Sequence, residues 1–150
     1  MSTLKQKIHQ ECVTLVDQNI AMHQKAMNDA QDAANKEQRS TAGDKYDTSR
    51  AMSQNERDMF ARRLVESLQM KKVLDGIDAT RSLDKAESGA LVIASTGNFY
   101  LSASFGKISV DGGDYFTISP ITPAGQAMLG KGVGETFEVN GQLITIEEIS

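Results

Sequence analysis

Apolar residues in the first forty positions fall on one face of a helix. Leu4, Ile8, Cys12, Leu15/Val16, Ile20, Met27, Ala30 and Ala34 recur at steps close to three or four, the period of an amphipathic helix with one core-facing stripe. Lys, Gln, Asp, Glu and Asn fill most of the positions between. Neither proline nor glycine occurs before Gly43, so the pattern predicts a helix from residue 3 to about 40, roughly 50 Å long. The stripe turns to alanine near its far end, which lets a second helix approach closely.

A second stripe runs Met52, Met59/Phe60, Leu64, Leu68, Val73/Leu74 and Ile77. It predicts a return helix from 44 to about 77. Between the two lies Ser40-Thr41-Ala42-Gly43-Asp44-Lys45-Tyr46-Asp47-Thr48. Gly43 is a natural C-terminal stop, and Asp44 is a good N-cap for the helix that follows. A turn there makes the pair an antiparallel hairpin in which facing residue numbers sum to about 86. Met52 is then expected to meet Ala34, Met59 to meet Met27, and Leu64 to meet Met22. Leu68 falls near Val16, and Ile77 near Ile8.

The helical period ends in the polar, turn-prone stretch from Gly76 to Ser88. A domain boundary is expected near residue 80, giving a hairpin over 1–79 and a second unit over 80–150. From Gly89 the period becomes that of strands. Strands are expected at 90–94, 99–103, 107–110 and 115–118. An Asp111-Gly112-Gly113-Asp114 turn precedes the last of these. Thr122 can cap a short helix with Pro123 at its first position, ending at Gly130. Two final strands, 135–139 and 142–147, flank an Asn140-Gly141 hairpin turn. The fold class is therefore α+β: a long N-terminal antiparallel helical hairpin, then a small, mostly antiparallel sheet domain with one short helix.

Composition narrows the function. The chain has 150 residues, one cysteine, two prolines and no tryptophan. A single cysteine excludes an internal disulfide framework and points to a reduced, cytoplasmic setting. No apolar run approaches the roughly 18 residues of a membrane span, and the N-terminus lacks the apolar segment of a signal peptide. Residues 1–77 carry 12 Lys/Arg against 11 Asp/Glu, and residues 78–150 carry 4 against 9. Neither part has the basic excess of a protein that binds DNA or RNA directly by neutralising phosphates. A protein partner is the easier reading.

Candidate chemistry is sparse. His9 and Cys12 are three apart and share a helix face, a conceivable nucleophile pair. Cys12 also lies on the apolar stripe and reads as a small core residue. No second cysteine suggests zinc. His23 is isolated. Arg57, Arg62, Arg63, Lys71 and Lys72 read as a solvated face, or as a contact for an acidic surface or RNA. The second unit holds no histidine or cysteine, and Gly130-Lys131-Gly132 lacks the spacing of a phosphate loop. Asp44 and Asp47 remain. Their spacing fits a helix cap and an approximate capping box, and both oppose the helix dipole. It equally displays two carboxylates at the hairpin tip.

The organisation resembles the Gre family of bacterial transcript-cleavage factors. Thr122-Pro123-Ala124-Gly125-Gln126-Ala127-Met128-Leu129-Gly130-Lys131, then Val133-Gly134-Glu135, is similar to the family's Ser-Pro…Leu-hydrophobic-Gly-Lys, Val-Gly-Asp signature. Ala94-Ser95-Thr96 resembles its Gly-Ser-Thr strand, and Gly43-Asp44-Lys45-Tyr46-Asp47 its Gly-Asp-x-x-Glu tip. The resemblance implies an FKBP-like second unit without isomerase activity, docked on RNA polymerase, with Thr122, Pro123, Gly130 and Lys131 as docking candidates. It implies a hairpin that enters the polymerase secondary channel. There Asp44 and Asp47 would help hold a second Mg²⁺, shared with the polymerase and not tightly bound by this chain. Nascent RNA would be met only inside that complex, with no direct DNA binding and no membrane. The protein would stimulate the polymerase's own cleavage of backtracked RNA and would not itself be an enzyme.

Three residues depart from the family pattern. Asp47 stands for Glu, Thr48 stands for Asn, and Tyr46 adds a ring to the tip. Other readings stay open beside cleavage stimulation. One is a channel-binding regulator that does not cleave. Another is a structural coiled-coil protein whose aspartates are only caps. The most distant is an acyl-transfer enzyme using Cys12.

Overall fold

The computed structural model describes residues 3–38 and 43–150, with side chains described for 3–36 and 51–150. Helix α1 spans Leu4–Gln38 and α2 spans Gly43–Asp75. The α1 start is a reciprocal cap. Thr3 Oγ1 accepts from the Gln6 amide at 3.2 Å, and Gln6 Oε1 accepts from the Thr3 amide at 2.7 Å. That arrangement is a capping box with glutamine at the third position. No acidic residue occupies the first turn.

Internal contacts divide the chain into Leu15–Lys71 and a second unit made of Met1–Thr14 with Lys72–Ser150. The division falls inside both helices instead of at the composition change near residue 80.

In the Leu15–Lys71 unit, Lys71 Nζ lies 3.0 Å from Asp17 Oδ1. About 30 Å of helix follows Asp17 in α1, and about 40 Å precedes Lys71 in α2. These two residues meet only if the helices fold back on each other. Their numbers sum to 88, close to the register expected from a turn at Gly43. Val16, Ala30 and Ala34 are buried on α1 as their stripe predicts.

The α2 face differs from its apolar pattern. The less exposed row is Arg57, Phe60, Leu64, Ser67, Lys71 and Leu74, with steps of three and four in strict alternation. That is a heptad row, and three of its members are polar. Leu68 is 48% exposed, Met52 61% and Met22 57%, so none of them fills the core position expected of it. Val73 is exposed as well. The apolar stripe places Phe60, Leu64 and Leu74 on the inward row and misplaces Met52, Leu68 and Val73. The small Ser67 and the stems of Arg57 and Lys71 can line a helix seam while their polar ends reach its edge.

In the second unit six strands form one sheet: β1 Leu91–Ala94, β2 Gly97–Leu101, β3 Gly106–Val110, β4 Gly113–Ile118, β5 Thr136–Val139 and β6 Gln142–Ile149. Helix α3, Pro123–Met128, lies between β4 and β5. The strand order is β3-β4-β2-β1-β6-β5. Every neighbouring pair is antiparallel except β2 with β4, which run parallel with Phe99 opposite Phe116. The β3–β4 and β5–β6 hairpins turn at Asp111-Gly112 and Asn140-Gly141, with φ of 50° and 81°, then 53° and 77°. Two consecutive positive φ values are what a type I′ turn needs, and an Asx-Gly pair accepts them readily.

One core lies under α3, formed by Ala86, Val92, Leu101, Met128, Phe137 and Ile146 with their neighbours. Tyr100 and Leu101 are both fully buried, although successive strand residues point to opposite faces. The Tyr100 face is covered by the base of α1, where Ile8 and Cys12 are fully buried and His9 bonds to Tyr100.

Gly125 is the tightest point of the unit. A Cβ there would lie 2.2 Å from the Ser119 carbonyl oxygen, a distance no side chain tolerates. Gly125→Ala is expected to lower stability by about 1–3 kcal/mol through overpacking. Thr122→Ala, which removes the cap and the bond from the same hydroxyl to the Ser119 carbonyl, should cost about 1 kcal/mol. Denaturant titration checks the order of the two.

Candidate functional site

The tip candidates Asp44, Tyr46 and Asp47 have their backbone in the first turns of α2. Their side chains, and residues 39–42, lie outside the described residues. Because α2 begins at Gly43, Asp44 sits one position inside the helix instead of before it. A helical backbone puts residues three apart on one face, with Cβ atoms about 5–6 Å apart. Asp44 and Asp47 are thus neighbours on one side of the helix.

The docking candidates flank α3. Thr122 has extended backbone, φ −72° and ψ 159°, and its Oγ1 accepts from the Gly125 amide at 3.1 Å. The same hydroxyl donates to the Ser119 carbonyl at 2.7 Å. Pro123 occupies the first helical turn. At the other end the Gly130 amide donates to the Ala86 carbonyl at 2.7 Å, and the Ala86 amide donates to the Lys131 carbonyl at 2.8 Å. All four residues therefore have a local structural task. The helix has six residues, so its two ends stand about 9 Å apart. Three exposed apolar side chains surround it: Ile121 at 81%, Leu129 and Val133. Sequence periodicity did not single them out, because they lie outside any regular element or at its end.

The base of α1 holds the polar constellation. His9 Nδ1 is 2.7 Å from Tyr100 Oη, and the rings meet edge to face with centroids 6.0 Å apart. Burial raises the Tyr100 hydroxyl well above the ordinary tyrosine range, with a smaller push from Cys12. Burial likewise raises the Cys12 thiol to about 12, with Glu11 adding to it. Lys5 is buried, and its ammonium donates to the Arg81 carbonyl at 2.7 Å. Desolvation lowers its pKa, and the Asp78 charge acts in the opposite direction. Asp78 accepts from both the amide and the hydroxyl of Thr80, which holds its carboxyl below the usual range.

These facts decide the Cys12 reading. A buried thiol that stays protonated is neither nucleophile nor metal ligand. Cys12 is a core residue, and His9 points to Tyr100. His23 is half-buried on α1. Among the described residues no group of three or more His, Cys, Asp or Glu could hold a metal, and no helix is long and apolar enough to cross a membrane.

A pair of long helices in one unit, and an α+β sheet in the other, defines the class to which the chain is compared. No protein-family model matches it, and no curated protein is similar in sequence. A solved structure of the transcription factor Gfh1 is similar, at a TM-score of 0.36 and 12% identity over 91% of this chain and 92% of that one. Similarity at this level assigns no activity to the chain.

At pH 8 a thiol with a pKa of about 12 is ionised roughly 10³-fold less than an ordinary cysteine. Labelling of the folded protein by an aromatic disulfide is therefore expected to be slower than that of the unfolded chain by about this factor. Rapid labelling of the folded state would contradict the burial of Cys12.

Proposed function

We propose that this protein is a transcription elongation factor that binds RNA polymerase through its secondary channel and stimulates cleavage of backtracked RNA. Two independent parts of the chain support the reading together. One is the Thr122–Glu135 signature around α3. The other is a pair of helices, each about 50 Å long, that fold back at Asp17–Lys71, with Asp44 and Asp47 where the second helix begins. The coincidence of the two carries the proposal.

The mechanism assigns each part a task. The sheet unit docks on the polymerase through the surface at α3. The hairpin enters the channel and brings Asp44 and Asp47 to the catalytic centre. Two carboxylates on adjacent turns fit the oxygen-donor chemistry of Mg²⁺, which keeps several waters and takes only one or two protein carboxylates. A second metal supplies activation of water for in-line attack on the RNA backbone. The polymerase and the RNA phosphate provide the remaining ligands, so the chain needs no metal of its own when free.

A second reading has support in named residues. Asp47 is one methylene shorter than the family's Glu, and Thr48 replaces its Asn. These favour a factor that occupies the channel without promoting cleavage. A structural coiled-coil protein with no polymerase contact is the third reading.

The test is RNA cleavage by a stalled, backtracked polymerase complex in Mg²⁺. Faster cleavage that is lost in the Asp44→Asn/Asp47→Asn double variant, with binding retained, is the expected result. Competition with a cleavage factor but no acceleration would select the second reading. No binding at all would select the third. Asp47→Glu, which restores the longer reach, is expected to raise the rate by up to about 10²-fold, the scale on which a 1 Å misplacement acts at a reacting centre.

A further inference from the structure

One histidine joins the base of α1 to the sheet. Tyr100 is fully buried on β2, and its hydroxyl stays protonated. The hydroxyl proton needs an acceptor, and His9 Nδ1 is the one hydrogen-bond partner of this phenol among the described residues. An imidazole accepts at Nδ1 only while it is neutral and carries its proton on Nε2. Once protonated it donates from both nitrogens. The phenol must then turn to accept, and its own proton is left without a partner inside the protein, where unpaired donors are disfavoured.

Protons can reach the pair. His9 is half-buried and lines an open cleft of about 680 Å³ with Gln6, Lys7, Gln10, Thr80 and Asp111. The charged groups on that cleft are Lys7 and Glu11 from α1 and Asp111 from the β3–β4 turn. Lys7 and Asp111 pair with each other at 3.0 Å. From the interior, Tyr100 faces His9 from β2, and the neutral Cys12 lies one turn further along α1. The other ties of this base run from Lys5 to the Arg81 carbonyl and from Lys7 to Asp111.

We propose that the His9–Tyr100 pair is an acid-sensitive clasp. It fastens the base of α1 to β2 while His9 is neutral and releases it when His9 is protonated. The release is local: it loosens the stretch that carries Ile8 and Cys12 and leaves the strand ladder intact.

The test uses the full chain, by nitrogen NMR of the imidazole and by amide hydrogen exchange. At pH 7.5 the His9 ring should be the Nε2–H tautomer. Exchange of amides 5–12, corrected for the intrinsic rate, should rise about tenfold between pH 7.5 and 5.5. Tyr100→Phe and His9→Gln should each remove that pH response, while His23 remains in place to report any effect from elsewhere. An Nδ1–H tautomer at pH 7.5, or unchanged exchange in the wild type, overturns the proposal. So does a pH response that persists in both variants. The tautomer and the wild-type exchange decide the matter even where a variant folds poorly.

Discussion

A strand with both faces buried organises the sheet unit. Tyr100 and Leu101 follow each other on β2 and both are sealed from water, so the sheet needs cover on two sides. The Leu101 side is served by α3 and the C-terminal hairpin through Met128, Phe137 and Ile146. The Tyr100 side faces away from that core. The first turns of α1 supply Ile8, Cys12 and His9 instead. This is why Met1–Thr14 belongs with the sheet by contact and Leu15–Lys71 does not. A break in composition near residue 80 marks where the local period changes. Burial, which joins residues far apart in sequence, sets the compact unit elsewhere.

The same contrast explains what the sequence made legible. The strands and their two Asx-Gly turns were readable because the signals are local: a two-residue period and a positive-φ pair. The α1 stripe was readable because most of its inward row is apolar, Ile8, Cys12, Val16, Ala30 and Ala34 all being buried, with Lys5 the polar exception. The α2 row was not, because Arg57, Ser67 and Lys71 stand on it while Val65, Leu68 and Val73 stand off it. A polar residue at a helix seam and an apolar one on its outer face both mislead a count of hydrophobic positions. The parallel β2–β4 pair was equally hidden. It depends on β3 folding back outside β4, which no short stretch of sequence encodes.

The α3 signature separates structure from function. Thr122 caps, Gly125 permits the approach of Ser119, and Gly130 and Lys131 close onto Ala86. Thr122, Gly125 and Gly130 serve the fold even if the surface met no partner, whereas Lys131 bonds to Ala86 through its main chain. A motif of this kind therefore argues for the architecture more strongly than for what the architecture binds. The exposed side chains of Ile121, Leu129 and Val133 have no such local task, although the Leu129 amide caps α3 by donating to the Gly125 carbonyl. They are the side chains around α3 whose presence the fold alone does not explain.

Asp44 and Asp47 stand in the opposite position. A helix start rewards negative charge with only about 0.3–1 kcal/mol, so the fold asks little of these two residues. Two carboxylates also make an incomplete cage for a hard cation. Their chemistry, if they have one, must be completed from outside the chain. Under the proposed function the activity arises only in a complex, with this protein contributing reach and charge and the partner contributing the reacting centre. In such a division the length of one side chain matters more than the stability of the helix that carries it. On the proposed reading, the step from a glutamate to Asp47 separates a factor that acts within a channel from one that only occupies it.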